Sequence, residues 1–203
     1  SADAKVAIGG FSAGGIGAVR YAQFCVKGER RRHAPAAVFA VDSPLDFERW
    51  FVGAEHYLQR LALAGRDLAE DRRATNELRK AFGGSPVEAA DAYRRHSPVT
   101  ARLPDGGNAR LLKSMPVRIY IEPDLKWRVE NWNREVHHTN VPDATALVNV
   151  LRLLGNKEAE LITTSGAGFR PGGARNPHSW SIGVERELPE WLVGWLRTAG
   201  TER

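Results

Sequence analysis

Cysteine is almost absent from this sequence, since Cys25 is the only one among 203 residues. A single cysteine excludes a disulfide within the chain, and it leaves the redox compartment undecided. Because Cys25 falls within a helix-like segment, we expect its side chain to act as a small buried hydrophobic group. The chain must therefore be stabilised by a packed core, for which its length and its 42% of hydrophobic residues are sufficient.

Long apolar runs are also absent, so the sequence predicts no membrane span. Nothing near Ser1 resembles a signal peptide, but the chain does not begin with methionine, so its cellular location stays open between cytoplasmic and secreted. The net charge is +5, with one basic cluster at Lys27 and residues 30–33. The sequence has no basic stripe with interleaved aromatic residues, which argues against nucleic-acid binding. That cluster is typical of a solvated loop at a helix end.

Four short apolar segments alternate with helix-like segments along the chain. Continuous apolar runs of this length are typical of parallel strands that are buried on both faces. The predicted strands are residues 5–9, 36–41, 115–121 and 160–164. The alternation predicts an α/β fold, a mostly parallel sheet of about four strands with helices on both faces.

Between the second and third predicted strands, residues 43–100 show no strand pattern. Leucines recur there among many charged residues, as in amphipathic helices. Ser85, Pro86 and Glu88 have the spacing of a capping box and predict a helix to about Arg95. We expect one domain over residues 1–203, with 43–100 as a helical insertion over one end of the sheet.

Between the first predicted strand and a helix-like segment over 16–26 lies Gly10-Phe11-Ser12-Ala13-Gly14. This pentapeptide matches G-x-S-x-G, in which a sharp strand-to-helix turn presents a serine hydroxyl above the sheet. The flanking glycines are needed where a side chain would collide with the neighbouring strand or helix. The motif by itself also fits an ordinary glycine-rich loop, so its meaning depends on the rest of the chain.

Other chemically active residues follow the later strands. Asp42 ends the second strand, Asp124 follows the third, and His178 lies in the loop after the fourth. Because the carboxyl ends of parallel strands lie at one edge of a sheet, these side chains and Ser12 are expected to meet there.

A serine on a G-x-S-x-G turn, then an acid and then a histidine is the chain order of the α/β-hydrolases. The sequence resembles that family from the nucleophile turn onward, in particular its serine esterases and lipases. The resemblance implies that the strands correspond to the last four of the usual eight and that residues 43–100 are a cap or lid. It further implies that Ser12 is the nucleophile, Asp124 the acid, His178 the base, and the Ala13 N–H an oxyanion donor.

Several assignments stay open at this point. Asp42 is the rival acid, since some family members carry the acid after the earlier strand, and Asp46 and Glu122 are weaker candidates. Trp127 and Trp180 are close enough in sequence to the acid and the base to line a pocket. Arg170 and Arg175 could hold an anionic or sugar-bearing group of the substrate. His137 and His138 are expected on a solvated helix, and His56 and His96 in the helical insertion.

One part of the family pattern has no counterpart before Ser12. The second oxyanion donor normally comes from a loop after an earlier strand, and only eleven residues precede Ser12. The first strand would then be an unpaired apolar edge, which is unfavourable in water. Three explanations are open: a preceding segment of a longer polypeptide, a second chain or protomer that completes the sheet, or a compact fold of four strands.

We therefore expect a serine hydrolase that cleaves an ester or related acyl bond of a small-molecule substrate, without a cofactor or a metal. One alternative is a non-catalytic binding or interaction module with the same fold. A dinucleotide-binding domain is a weaker alternative. A glycine-rich turn and Asp42 fit its outline, but Ser12 occupies the second glycine position of G-x-G-x-x-G and would crowd the pyrophosphate.

Overall fold

A computed structural model of the protein describes residues 5–28, 34–65, 69–184 and 187–198. Residues 30–33 of the basic cluster lie outside this range. Its four parallel strands stand in sequence order across one sheet. They are β1 (Ala7–Phe11), β2 (Ala37–Val41), β3 (Val117–Ile121) and β4 (Ala159–Thr163). The α/β fold with a four-stranded parallel sheet is confirmed.

Helices surround the sheet. The described residues form α1 (Ala13–Lys27), α2 (Phe47–Leu63), α3 (Ala69–Phe82), α4 (Ala90–His96), α5 (Leu125–Trp132), α6 (Val141–Leu153), α7 (Ser181–Val184) and α8 (Glu187–Thr198). Two 3₁₀ helices span Gly107–Leu112 and Val136–His138. None of the helices within the described ranges is long and apolar enough to cross a lipid bilayer.

The alternating side chains of the strands enter two separate cores, one on each face of the sheet. On one face Val38, Ala40 and Ile119 pack with residues of α1 and α6, including Val19 and Leu147. On the other face Phe39, Val41 and Tyr120 pack with Ile182 and Leu188 of α7 and α8. Burial on both faces explains why β2 is a continuous apolar run in the sequence.

Residues 43–100 form the helices α2, α3 and α4 within the connection from β2 to β3. The two ends of this connection are joined to each other, because the Val99 N–H donates to the Leu45 carbonyl at 3.0 Å. The Ala101 N–H likewise donates to the Asp46 carboxylate at 2.8 Å. The segment is therefore a helical excursion that leaves the sheet and returns at one place.

The helix predicted from Ser85 starts later in the structure, and a carboxylate at the start of α6 serves another segment. The Ser85 N–H donates to the Glu88 carboxylate at 2.7 Å and the Glu88 N–H donates to the Ser85 hydroxyl at 3.4 Å, as a capping box requires, but turns follow and α4 begins only at Ala90. Asp143 lies in the first turn of α6, whose N-cap is Asn140. Its buried carboxylate instead accepts from the Leu45 and Asp46 N–H groups. A short polar residue near a helix start can serve the neighbouring chain as well as its own helix.

β1 lies at one edge of the sheet, with β2 as its hydrogen-bonded neighbour. Within the described part of the chain no further strand pairs with its outer side. The edge position agrees with the expectation from the sequence. All five residues of β1 are partly exposed, in contrast to the fully buried β2.

Candidate active site

Ser12 occupies the sharp turn between β1 and α1. Its backbone angles are φ 52° and ψ −123°, a conformation that is costly for any residue other than glycine. The turn is held because the Ser12 N–H donates to the Val41 carbonyl at 2.9 Å and the Gly15 N–H donates to the Ser12 carbonyl at 3.1 Å. The hydroxyl does not cap the helix. It is therefore available for another role, at the carboxyl end of the sheet.

The glycines around Ser12 differ in how much space a side chain would have at each position. A side chain at Gly10 would overlap the backbone of Gly14 and Gly15, where the strand turns back against the helix. A side chain at Gly15 would overlap the Ser43 hydroxyl and crowd Ala40 of β2. Gly14 has open space around it. Gly10 and Gly15 are thus required by close packing, and Gly14 is not.

His178 lies against the turn that carries Ser12. Its ring packs on the ring of Phe11, with centroids 4.6 Å apart. Its Nδ1 atom lies 3.0 Å from Oδ2 of Asp42, which is fully buried at the end of β2. An ionised carboxylate can only accept a hydrogen bond, so Nδ1 carries the proton. In the neutral imidazole the lone pair is then on Nε2, the nitrogen that could accept a proton from a substrate or a serine.

Two further side chains fix the Asp42 carboxylate. Arg128 of α5, which is also buried, donates from Nη2 to Oδ2 at 2.9 Å. Asn140 donates from Nδ2 to Oδ1 at 2.8 Å and to the Asp42 carbonyl at 2.9 Å. Burial alone would raise the pKa of Asp42, but the hydrogen bond and charge of His178, together with Arg128, outweigh it and lower the pKa. The carboxylate is therefore ionised at neutral pH.

Asp124 does not contact His178 in the way expected from the sequence. Its carboxylate accepts from the Trp127 N–H at 3.3 Å, as the N-cap of α5, and pairs with Arg175 at 2.5 Å. The expected pairing of Asp124 with His178 is corrected to a pairing of Asp42 with His178. Both aspartates directly follow or closely follow a strand and have positive φ, so chain order alone does not separate them.

The loop that carries His178 is anchored to Glu122, which is fully buried at the end of β3. The Glu122 carboxylate accepts from the Gly166 N–H at 2.8 Å and the Ala167 N–H at 3.0 Å, and it also pairs with Arg175. Next to His178, the Asn176 side chain accepts from the His178 N–H at 2.9 Å. Glu122, a weak candidate for the acid, therefore acts on the shape of this loop.

Ser12 and His178 line one cavity of about 560 Å³. The cavity lies between the carboxyl end of the sheet and the helix α2, with walls also from α5 and the residues after it. Its polar and aromatic lining residues include Arg49, Trp50, Tyr57, Arg128, Asn131, Trp132, Asn133, Arg134, His137, His138, Asn140 and Arg170. The cavity is therefore a polar pocket with aromatic side chains, and Ser12 and His178 lie in its wall.

The two tryptophans expected at the pocket lie elsewhere. Trp127 packs edge-on against Trp132, with centroids 4.8 Å apart, and Trp180 packs on Phe11 and Phe39 over the sheet. The tryptophans that do line the cavity are Trp50 and Trp132. Sequence proximity to an acid or a histidine was a poor guide, because a helix turns successive side chains in different directions.

Of the two candidate arginines, Arg170 lines the cavity and Arg175 does not. Arg175 instead forms ion pairs with Glu122 and Asp124. Arg128 and Asn140 were missed from the sequence, although both hold the Asp42 carboxylate. Their distance along the chain from Asp42 left no local pattern by which to find them.

The comparisons with known proteins add no family to this description. The chain matches no protein-family model, and it matches no curated protein.

Proposed function

We propose that the protein is a serine hydrolase that cleaves an ester or related acyl bond through an acyl-enzyme. In this proposal Ser12 is the nucleophile, His178 the general base and Asp42 the acid. The observation that carries it is the 3.0 Å contact between His178 and the buried Asp42, in a cavity wall that also contains Ser12. The strained turn at Ser12 supports the same role.

The chemistry follows from what each group can do. A serine hydroxyl is a weak nucleophile, and His178 Nε2 would take its proton as the oxygen attacks the acyl carbon. The resulting imidazolium is stabilised by the negative charge of Asp42 across Nδ1. The same imidazolium then returns the proton to the leaving alcohol. Water repeats the sequence on the acyl-enzyme and releases the acid.

The negative oxygen that forms during the attack needs hydrogen-bond donors. The helix α1 begins at Ala13, directly after Ser12, and N–H groups in the first turn of a helix have no partner within it. We propose the Ala13 N–H as one donor, supported by the positive end of the helix dipole.

The cavity favours a substrate with a polar or anionic part. Among the described residues that line it are four arginines and three histidines, and no carboxylate. Arg49 and Arg128 are paired with Asp143 and Asp42, whereas Arg170 is exposed at the cavity wall. We propose Arg170 as a contact for an acidic or sugar-bearing group, while Trp50 and Trp132 offer aromatic surface.

A serine-reactive fluorophosphonate tests the assignment directly. We expect it to label the protein, and we expect Ser12→Ala to abolish both the labelling and the hydrolysis of a p-nitrophenyl butyrate substrate. Ser165→Ala is the matched control, because Ser165 lies exposed in the loop after β4. That variant should be labelled like the parent. Equal labelling of the Ser12→Ala variant would remove Ser12 from the mechanism, and a parent that is neither labelled nor active would favour a binding module.

A further inference from the structure

A second cluster of potential ligands lies apart from Ser12 and Asp42. It consists of His56 on α2, with Glu135 and His138 at the 3₁₀ helix after α5. One ligand atom from each of the three residues lies within 4.8 Å of the other two. His56 and His138 are 82 residues apart in the sequence, so no short sequence motif indicates this cluster.

The distances match a metal site better than a set of hydrogen bonds. Nδ1 of His56 and Nε2 of His138 are 3.4 Å apart. Two nitrogens that each lie about 2.0–2.1 Å from a tetrahedral zinc ion are about 3.4 Å apart. A direct hydrogen bond between them would normally be about 2.7–3.2 Å long. Oε1 of Glu135 is 3.8 Å from the same His138 nitrogen, which is also too long for a hydrogen bond and somewhat longer than the edge of a tetrahedral site.

The surroundings of His138 direct its Nε2 atom toward the other two candidate ligands. Its side chain is only 2% exposed, although the sequence predicted a solvated helix here. Its other nitrogen, Nδ1, is buried and has no hydrogen-bond partner in the described structure. The ring therefore interacts with polar groups through Nε2, the nitrogen that faces His56 and Glu135.

The carboxylate is oriented by a neighbour. Arg60, one turn after His56 on α2, donates to Oε2 of Glu135 at 3.0 Å. That contact leaves Oε1 directed at His138. Hydrogen bonds of this kind to a ligating carboxylate are the usual support around a metal centre.

We propose that His56 Nδ1, His138 Nε2 and the Glu135 carboxylate form a binding site for a divalent transition metal, with zinc as the best match. Two imidazoles and one carboxylate are a nitrogen-rich set that suits zinc, copper, nickel or cobalt, whereas calcium and magnesium prefer oxygen ligands alone. A fourth position is left for water or another ligand. The site joins α2 to the chain after α5, across the cavity wall that His138 helps to form.

The proposal is tested with zinc chloride alone, added to chelator-treated protein and followed by isothermal titration calorimetry. We expect binding of one zinc ion per chain, a rise in the melting temperature, and at least tenfold weaker binding for His56→Ala and for Glu135→Gln. His56 is exposed, so its replacement should leave the fold intact. Cobalt provides a second readout, because a four-coordinate cobalt site gives strong visible absorption that both variants should lose.

His96→Ala is the matched control, since His96 is an exposed histidine outside the cluster. It should bind zinc like the parent. Ser12→Ala should also bind zinc like the parent, which separates this site from the proposed hydrolase chemistry. The proposal is overturned if the parent binds no zinc at micromolar concentration, or if His56→Ala and Glu135→Gln both bind it as tightly as the parent.

Discussion

At the scale of single residues, the two aspartates that follow β2 and β3 have separate tasks. Asp42 is fully buried and holds His178, whereas Asp124 caps α5 and pairs with Arg175. If Ser12 and His178 act as proposed, Asp42→Asn should lower kcat by about 10³- to 10⁴-fold, because the imidazolium loses its charged partner and its fixed tautomer. Steady-state hydrolysis of p-nitrophenyl butyrate measures this loss.

Asp124→Asn is the control for that substitution. Asparagine caps a helix about as well as aspartate, so α5 should persist. The ion pair of Asp124 with Arg175 is largely buried, but Arg175 keeps its pairing with Glu122, so the variant should stay folded with some loss of stability. We expect kcat to stay within a few-fold of the parent. The reverse result, a large loss in Asp124→Asn and a small one in Asp42→Asn, would return the acid to Asp124.

At the scale of single elements, the start of α1 depends on Gly15 more than on Gly14. Gly15→Ala should destabilise the protein by about 1–3 kcal/mol, since the new methyl group meets Ser43 and β2 in a packed interior. Gly14→Ala should stabilise it by about 0.4–1 kcal/mol, because alanine restricts the unfolded chain and has open space in the helix. Urea unfolding of the two variants measures both changes. Similar losses of stability in both would show that the packing around Gly15 does not decide the effect.

The strands and the start of α1 show how much of the fold could be predicted from the sequence. The four strands were predicted within about two residues, and the prediction was simplest for β2, whose run is buried on both faces and continuously apolar. The start of α1 was placed at Ile16 instead of Ala13, since Gly14 and Gly15 are poor helix formers and the imposed turn at Ser12 overrides that preference. Helix propensity depends on the local sequence, whereas the turn at Ser12 is fixed by a hydrogen bond to the Val41 carbonyl on the neighbouring strand.

The site was predictable in its composition but not in all its contacts. The expectation that Ser12 and His178 lie at one end of the sheet follows from parallel topology and agrees with the cavity they share. The choice between Asp42 and Asp124 needed side-chain distances, which chain order does not contain. His138 was expected in solvent, and its burial against Tyr57, with ring centroids 5.1 Å apart, depends on how α2 packs on the chain after α5.

At the scale of the whole molecule, the two ends of the segment that carries α2–α4 meet at one place beside the sheet. Asp46 stands at that point and is only 3% exposed. Its carboxylate accepts from the Glu48 and Arg49 N–H groups at the start of α2 and from the Ala101 N–H at the far end. One side chain therefore caps a helix and closes the base of the segment.

Asp46→Ala should remove the cap and leave the Ala101 N–H without its carboxylate partner. We expect a loss of about 1–3 kcal/mol in the free energy of unfolding, because a lost cap costs about 0.5–2 kcal/mol and a lost hydrogen bond about 0.5–1.5 kcal/mol. Asp91→Ala is the matched control, since Asp91 lies exposed in the first turn of α4 and pairs with the partly exposed Arg94. That variant should change stability by less than about 1 kcal/mol. Hydrogen exchange should locate the Asp46 effect, with faster exchange in residues 47–63 and 97–101 than in β2 and β3. Uniformly faster exchange in the sheet as well would show that the segment and the sheet unfold as one unit.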